Sequence, residues 1–393
     1  MHVLFLPSWY PETPEDISGS FFREQALALH QAGCKVGVIA PGMLLSLRRP
    51  LHALRADRSI RKEMDAGVPT YRMTAINWTP RLRGRSARRV EHIRMALYRA
   101  YVADHGRPDV IHVHASLPAG AAAIGIAKQA NIPYVLSEHS SAYARGLIPA
   151  VGIRIARSVA ENAGARFAVS TPFARLLEDR LTLPPDSFAV MPNIVDQSFL
   201  DAPLPLRDTG KTRFLHVSLL DSNKRVDLIV RGFAQQFPQN PDVTLTIGGD
   251  GPTRGALMSL AADLGVAERV SFPGRLSRAE VRSAMADSDA FVLSSKYETF
   301  GVVLVEALAM GLPLIATQCG GPEDIVTSDT GILVPTEDAD ALASAMAQIC
   351  ESRTQWPAEK LRADCAARFG PDAVSQRWIA RYERLIASEG MAE

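Results

Sequence analysis

The sequence has few cysteines and no long apolar run, and both absences narrow the class of protein. Four cysteines stand among 393 residues, and no two of them have the CxxC spacing. This argues against a disulfide framework and against a zinc site, and it fits a reducing compartment. No stretch reaches the ~18 uncharged apolar residues that a membrane-spanning helix needs. The start of the chain has no basic segment before its short apolar run, so we predict no signal peptide and expect a cytoplasmic protein.

A strong net charge is also missing, because the formal charge is only +1. The two halves differ, however: residues 1–200 hold 24 Lys+Arg and 16 Asp+Glu, and residues 201–393 hold 19 and 26. Hydrophobic residues make up 47% and charged residues 22%, the balance of a globular protein. A chain of 393 residues is long for one core. We therefore predict two domains that face different partners or each other.

Short apolar runs alternate with helical patterns from end to end, which predicts a doubly wound parallel α/β fold used twice. The predicted strands are 2–6, 35–40, 109–114, 134–139, 166–170, 213–218, 243–248, 269–274, 290–295 and 312–317. Residues 200–212 are rich in proline and polar residues and indicate a linker. We expect domains at 1–200 and 201–371, with a final helix at about 372–393 packing back on the first. Two such domains would form a cleft at the carboxyl ends of their strands.

The stretch SKYETFGVVLVEALAMGLP, residues 294–312, places two acids in an otherwise apolar segment. Its pattern predicts a loop carrying Glu298 at the end of a strand, followed by a helix in which Glu306 lies one to two turns from the start. The free amides at the helix start, residues 299–302, form an anion site, and Gly301 permits close approach.

A buried carboxylate such as Glu306 needs a cation or several hydrogen-bond donors. The two hydroxyls of a ribose are such donors, so a nucleoside diphosphate-sugar would place its ribose by Glu306 and its sugar by Glu298. The simpler alternative is a structural ion pair for Glu306 and a solvated loop for Glu298. The spacing alone does not separate the two interpretations.

Three further loops favour a nucleotide-sugar site. Residues 247–254 (IGGDGPTR) follow a strand and open a helix, although Gly-Asp-Gly-Pro is also ordinary turn chemistry. Residues 219–227 offer Lys224 and Arg225 as cations, although alone they would indicate a solvated basic turn. Residues 319–324 (CGGPED) form a third glycine loop in which Glu323 can cap a helix. We expect all four loops at one edge of one sheet.

The chain resembles the retaining glycosyltransferases of family four, which have the two-domain GT-B architecture. The E-x7-E motif is matched from Glu298 to Glu306, and GGDGP, GGPEDIV and TGILVP match the donor domain. MPNIVD precedes the linker, and SGSFFREQALAL, DVIHVH and SEHSSAY match segments of the other domain. The resemblance covers nearly the whole chain. It implies a UDP- or GDP-sugar donor, retention of anomeric configuration, polysaccharide biosynthesis as the setting, no cofactor and no bound metal.

The resemblance also implies roles for single residues. Gly19 lies in the first loop, whose backbone approaches the donor phosphates, and Lys224 matches the diphosphate-binding lysine. The arginine usual five positions earlier is Leu219 here. We expect Arg225 or Arg275 to replace its charge, unless the substrate differs.

Stabilising charge on the leaving diphosphate is the main catalytic demand, and fixed donors meet it without a metal. We predict Glu298, His139 and Lys224 as catalytic residues, with Glu298 on the donor-sugar hydroxyls. His139 would hold the donor sugar or help to activate the acceptor; its alternative is a satisfied histidine at a strand end. The predicted donor-binding set is Gly19, Lys224, Arg225, Gly249, Asp250, Gly251, Thr299, Phe300, Gly301, Val302 and Glu306.

Two other patterns do not indicate a metal site. The DSD string at 287–289 precedes a strand instead of following one, so it indicates a helix end and not a metal site. His112 and His114 share a strand face without a third ligand, which indicates packing or a lining of the cleft.

The segment 81–101 is a basic amphipathic helix, with arginines on one side and Val90, Ile93, Leu97 and Tyr101 on the other. Such a helix most often packs on its own domain, but it can also lie on an anionic membrane. With the positive first half, it favours an anionic or lipid-linked acceptor, or peripheral contact with a membrane. No nucleic acid is expected.

Other functions are compatible with two α/β domains. A nucleotide-sugar epimerase or a phosphorylase of GT-B architecture is the nearest alternative, and a non-catalytic sugar-binding protein is one from another class. A Rossmann dehydrogenase fits less well, because no G-x-G-x-x-G follows the first strand.

Overall fold

A computed structural model describes residues 1–13, 16, 18–40, 44–46, 59–77, 83–204 and 210–390. The chain divides into two compact units. Unit 1 comprises residues 1–169, 174–191 and 374–393, and unit 2 comprises residues 170–173 and 192–373. The sequence placed the boundary after residue 200 and assigned residues 372–393 to the first domain. The two divisions thus differ by nine residues at the first boundary and by two at the second, and residues 170–173 fall in unit 2.

The helices and strands are labelled in chain order. The strands of unit 1 are β1 (His2–Pro7), β2 (Lys35–Ile39), β3 (Leu44–Ser46), β4 (Ile60–Asp65), β5 (Val68–Met73), β6 (Ala75–Asn77), β7 (Val110–His114), β8 (Tyr134–Glu138), β9 (Ala165–Ala168) and β10 (Ala189–Val190). The strands of unit 2 are β11 (Thr212–Val217), β12 (Val243–Gly248), β13 (Val270–Gly274), β14 (Ala290–Leu293), β15 (Leu314–Thr317) and β16 (Gly331–Val334). The α-helices are α1 (Ser20–Gln31), α2 (Arg83–His105), α3 (Ala119–Ala130), α4 (Ala150–Glu161), α5 (Thr171–Leu181), α6 (Gln197–Leu200), α7 (Val226–Gln236), α8 (Arg254–Asp263), α9 (Arg278–Ala286), α10 (Val302–Ala309), α11 (Ala339–Glu351), α12 (Ala358–Phe369) and α13 (Pro371–Gly390). Short 3-10 turns lie at Ala267–Arg269, Gly321–Asp324 and Arg353–Gln355.

The main sheet of unit 1 has the strand order β10-β9-β8-β7-β1-β2-β5-β4, and β3 pairs with β6 separately. Its central strands β1, β7 and β8 are buried along their whole length, which is why they are continuous apolar runs in the sequence. Strand β4 departs from the predicted parallel pattern, because it runs antiparallel to β5. Ala66 and Gly67 connect the two with φ values of 46° and 91°, the positive angles of a tight hairpin turn.

Unit 2 contains a parallel sheet of order β13-β12-β11-β14-β15-β16. The chain starts at β11 near the middle, moves outward to β13, and returns to β14 on the other side of β11. This reversal is the doubly wound topology that the sequence predicted. It places the carboxyl ends of β12, β11, β14 and β15 side by side.

The basic segment 81–101 falls largely in α2; residues 81–82 lie outside the described part. The apolar side of α2 is inside unit 1, since Ile93, Leu97 and Tyr101 are buried. Arg94 lies among them, 1% exposed, and donates one hydrogen bond to the carbonyl of Pro7. The apolar stripe therefore packs on its own unit, as the simpler of the two interpretations stated.

Helix α13 packs on the sheet of unit 1 through two aromatic rings. Trp378 and Tyr382 are buried, and the Tyr382 hydroxyl lies 2.6 Å from Nδ1 of His112. His112 also stacks on His114 at 3.9 Å between ring centroids. Both histidines are fully buried, which favours packing, the first of the two predicted roles, over a lining of the cleft. In the described part of the chain, no helix is long and apolar enough to cross a membrane.

Candidate functional site

Lys224 and Glu298 form an ion pair at the carboxyl edge of the unit 2 sheet. Lys224 lies in the loop after β11 and Glu298 in the loop after β14, and these strands are neighbours. The Glu298 carboxylate also accepts a hydrogen bond of 3.0 Å from the Ser295 hydroxyl. Burial alone would lower the pKa of Lys224, but the carboxylate beside it raises that pKa above its usual value. A protonated ammonium is thus held at the strand ends.

The backbone around Glu298 is fixed by the glycine loop after β15. The amide of Glu298 donates to the carbonyl of Cys319, and the amide of Gly321 donates to the carbonyl of Glu298. A Cβ on Gly321 would lie 2.3 Å from the backbone of Phe300, so the two loops meet at a distance that only glycine permits. Glu323 caps this turn by accepting from the Gly320 amide, as the sequence predicted.

Helix α10 begins directly after this loop. Gly301 precedes it with φ of 100°, a left-handed conformation that favours glycine. Phe300 is buried and packs edge-on against Phe369, so its side chain belongs to the core. The backbone amides of Gly301 and Val302, at the helix start, are groups suited to an anion.

The GGDGP loop after β12 packs against the backbone that follows β11. A Cβ on Gly249 would lie 1.9 Å from the carbonyl oxygen of Ser218, and one on Gly251 would lie 2.4 Å from that of Leu220. Asp250 is exposed, and its carboxylate accepts from the Gly251 amide. Contact between these loops is sufficient to explain why glycine stands at positions 249 and 251. Their donor-binding role stays a prediction.

Leu219, which replaces the arginine usual in the family, is 64% exposed. Arg225 contacts two acids, with 3.1 Å to Asp227 and 2.7 Å to Glu337. Its charge is thus already compensated within unit 2. Arg275, directly after β13, is exposed. Of the two predicted substitutes, Arg275 is the better candidate.

Glu306 lies on α10 beside a cation that the sequence did not single out. Its carboxylate is 3.5 Å from the guanidinium of Arg278, which also lies 3.5 Å from Asp196. The side chain of Glu306 is 13% exposed and that of Arg278 is 25% exposed. The ion pair of the simpler interpretation is therefore present, and neither of its side chains is fully buried.

Gly19 and His139 lie at the carboxyl edge of the unit 1 sheet. Gly19 begins α1 with φ of 78°, and a Cβ there would lie 2.8 Å from the ring of Trp9. His139 follows β8, is 8% exposed, and lies 3.4 Å from Nδ1 of His114. The ring of Phe22, one turn into α1, packs edge-on against His139 at 4.8 Å. The structure thus brings both predicted residues to one region of unit 1.

A buried acid next to His139 escaped the sequence analysis. Glu138 is 2% exposed and accepts four hydrogen bonds, from the amides of Ser116, His139 and Ser140 and from the Ser116 hydroxyl. It joins the loop after β7 to the loop after β8 and thereby orients His139. An acid in an otherwise apolar segment is the signal that identified Glu306, and Glu138 at the end of apolar β8 carries the same signal, so it could have been found.

The DSD string is structural, as predicted. Asp287 ends α9, and Asp289 is buried, with its carboxylate on the backbone amide and guanidinium of Arg213. In the residues that the structure describes, no group of three or more His, Cys, Asp or Glu side chains is arranged to hold a metal ion.

Two family models match the chain over most of its length. Residues 18–199 match Glycosyltransferase Family 4, and residues 202–368 match Glycosyl transferases group 1. The chain belongs to this family of glycosyltransferases, and the resemblance inferred from the E-x7-E motif is confirmed.

Individual proteins agree with the family models. A Bacillus subtilis (strain 168) protein named for teichuronic acid biosynthesis, the glycosyltransferase TuaC, is 26% identical over 91% of both chains. The N-acetyl-alpha-D-glucosaminyl L-malate synthase of Bacillus anthracis is 33% identical over 44% of both chains. Among solved structures, sucrose-phosphate synthase from Thermosynechococcus elongatus superimposes with a TM-score of 0.77 at 20% identity, covering 99% of this chain and 100% of its own. The fold is therefore of the GT-B class.

Proposed function

We propose that the protein transfers a sugar from a nucleotide-diphosphate sugar to a saccharide or lipid-linked acceptor, with retention of anomeric configuration and without a metal ion. The observation that carries the proposal is the pairing of Lys224 with Glu298 beside the start of α10. One cation and a set of helix amides are thereby placed together, and both are suited to a diphosphate.

In the proposed reaction the bond between the anomeric carbon and the diphosphate oxygen breaks. The oxygen of an acceptor hydroxyl forms the new bond on the same face of the sugar, and its proton passes to the leaving diphosphate. Negative charge grows on the leaving diphosphate, where Lys224 and the amides of residues 299–302 stabilise it. Glu298 holds hydroxyls of the donor sugar, and Glu306 holds the ribose. His139 contacts the donor sugar or the acceptor from unit 1.

The proposed donor is a UDP- or GDP-sugar. In its support, the similar structure of Anabaena HepE was solved in complex with UDP-glucose (19% identity, TM-score 0.70). A Mycolicibacterium smegmatis relative, 33% identical over 34% of this chain, is named a GDP-mannose-dependent mannosyltransferase that acts on a phosphatidylinositol monomannoside.

The test is incubation with a panel of UDP- and GDP-sugars, with nucleotide release and thermal stabilisation as readouts. Proton NMR of the product formed with an acceptor reports the anomeric configuration. We expect one donor to be turned over, the product to keep the donor's configuration, and EDTA to leave the rate unchanged. An inverted product, or a rate lost with EDTA and restored by Mg²⁺, would contradict the proposal.

The same panel separates the alternative functions. An epimerase would change the sugar of the donor without an acceptor, and a phosphorylase would turn over with phosphate and no nucleotide. A sugar-binding protein would be stabilised by a saccharide but would release no nucleotide.

A further inference from the structure

Helix α4 and the turn before it carry an apolar stripe on the surface of unit 1. Leu147 is 61% exposed, Val151 is 47% exposed and Ile155 is 36% exposed. Val151 and Ile155 are four residues apart and lie on one side of α4, and Leu147 belongs to the segment directly before the helix. Large aliphatic side chains in a row on a surface indicate a contact that the unit does not itself provide.

The side of α4 that faces the interior is made mostly of small residues. A Cβ on Gly120 of α3 would lie 2.5 Å from Val159, which shows how closely α3 and α4 approach. The buried residues of α4 are Gly152, Ala156, Val159 and Ala160. Apart from Val159, the helix thus buries small side chains, and it leaves Val151 and Ile155 in solvent, the reverse of what its own stability requires.

The charge around the stripe has one sign. Between Glu138 and Glu161 the chain has no acidic residue, but it has Arg145, Arg154 and Arg157. Arg145 and Arg154 are exposed, and no ion pair is found for either within the described residues; Arg157 pairs with Glu161. An apolar stripe with guanidinium groups beside it matches the boundary of an anionic bilayer, where aliphatic groups enter the acyl region and arginines meet the headgroups.

We propose that the stripe Leu147–Val151–Ile155, with Arg145 and Arg154, docks unit 1 on an anionic lipid surface. The sequence allowed a basic membrane-binding helix at residues 81–101, but the apolar side of α2 is buried. The side of α4 that carries Val151 and Ile155 is exposed. The proposal goes beyond the transfer reaction, because lipid binding by this surface needs neither the sugar donor nor Lys224 and Glu298.

The test is co-sedimentation of the full chain with vesicles of phosphatidylglycerol and phosphatidylcholine, without any sugar donor, at low and high salt. Pure phosphatidylcholine vesicles are the reference. We expect binding to the anionic vesicles that weakens with salt. The double variant Val151→Ser/Ile155→Ser should lower partitioning at least about tenfold, and so should Arg145→Glu/Arg154→Glu.

The matched control is Met258→Ser/Leu264→Ser in unit 2, since these residues are 44% and 39% exposed and leave the stripe intact. It should bind like the wild type. The proposal fails if neither vesicle is bound, if the stripe variant binds like the wild type, or if the control loses binding equally. It also fails if the stripe variant keeps its lipid binding and loses only turnover, because the stripe would then contact another partner. All variants alter exposed side chains, and circular dichroism checks that they are folded.

Discussion

At the residue scale, the candidate site depends on charges that are compensated in pairs. Lys224 and Glu298 neutralise each other, and Glu306 lies beside Arg278. A bound diphosphate can pair with Lys224 in place of Glu298, and sugar hydroxyls can donate to Glu298 in place of Lys224. Replacing one member of a pair therefore removes both a proposed ligand contact and an ion pair. A second variant that removes only the ion pair is needed to separate the two effects.

Lys224→Ala should lower kcat by about 100-fold or more, because one donor to the developing charge is typically worth that much. The KM for the donor should change less. Lys224→Arg keeps a cation and should recover part of the rate. The measurement is steady-state kinetics with the donor identified by the panel. An unchanged kcat in Lys224→Ala would show that the leaving group is neutralised elsewhere, for which Arg275 is the next candidate.

Glu306→Gln should weaken binding of the nucleoside diphosphate by about tenfold, the effect of losing about 1.4 kcal/mol of charge-assisted hydrogen bonding. Arg278→Met is the control, because it removes the same ion pair and keeps the carboxylate. Isothermal titration calorimetry gives both affinities. If Glu306 serves only the ion pair, then affinity stays at the wild-type value in both variants and the ribose role is wrong.

Arg94→Met should raise the free energy of unfolding by about 1–3 kcal/mol. Burial lowers the pKa of Arg94 to about 10, which shows that the folded state disfavours this charge. Its Nε and Nη1 atoms have no hydrogen-bond partner in the described structure. Urea unfolding at pH 7 measures the change. A destabilised variant would mean that the bond to the Pro7 carbonyl outweighs the desolvation of the guanidinium.

At the element scale, glycines allow the loops at the carboxyl edge of the unit 2 sheet to touch through their backbones. One such contact, that of Gly321 with Phe300, lies directly before α10. The amides at the start of that helix are positioned by this contact, since the turn at 321–324 supports residues 298–300. Backbone contacts of this kind, together with the cap that Glu323 forms on Gly320, thus set the loop positions in this site.

Gly321→Ala should destabilise unit 2 by about 2 kcal/mol or more and should shift the Glu298 loop, because the added methyl overlaps the Phe300 backbone. The matched variant is Gly255→Ala in α8, where nothing lies within 4 Å of the new methyl. That change should stabilise the helix by about 0.5–1 kcal/mol. Thermal unfolding compares the two, and equal effects would contradict the argument from contact.

Predictability also differed between elements. Strands with continuous apolar runs, such as β1, β7 and β12, were located within a residue or two, because burial on both faces leaves a clear pattern. The β4–β5 hairpin was missed, since β4 is mostly exposed and its residues IRKEMD carry no apolar pattern. The turn residues Ala66 and Gly67 were the available signal.

At the scale of the whole molecule, buried neutral histidines link stability to pH. Burial lowers the pKa of His112 and of His114 in unit 1, and it lowers that of His216 in unit 2 to about 4. Unfolded histidines take up protons near pH 6.5, whereas these stay neutral in the folded protein. Acidification therefore favours unfolding, and stability is lost as the pH falls from above 6.5 toward the folded pKa values.

Because His216 is protonated in the unfolded state but not in the folded state, this residue alone should lower the free energy of unfolding by about 2 kcal/mol when the pH falls from 7 to 5. Urea unfolding followed by circular dichroism at the two pH values measures the total loss. A His216→Gln variant, which cannot titrate, should show a smaller difference. The explanation is wrong if the wild type is equally stable at both pH values.

The alternation of strands and helices, the four loops after neighbouring strands and the E-x7-E motif could all be predicted from the amino-acid sequence. These are local patterns, contained in the periodicity and composition of continuous segments. The packed fold was needed to show that Arg278 meets Glu306, that Glu138 orients the loop of His139 and that α4 leaves Val151 and Ile155 exposed. Such pairings join residues that are distant along the chain or depend on which helix face packs inward. Their geometry comes from the packing of elements, which no single segment encodes.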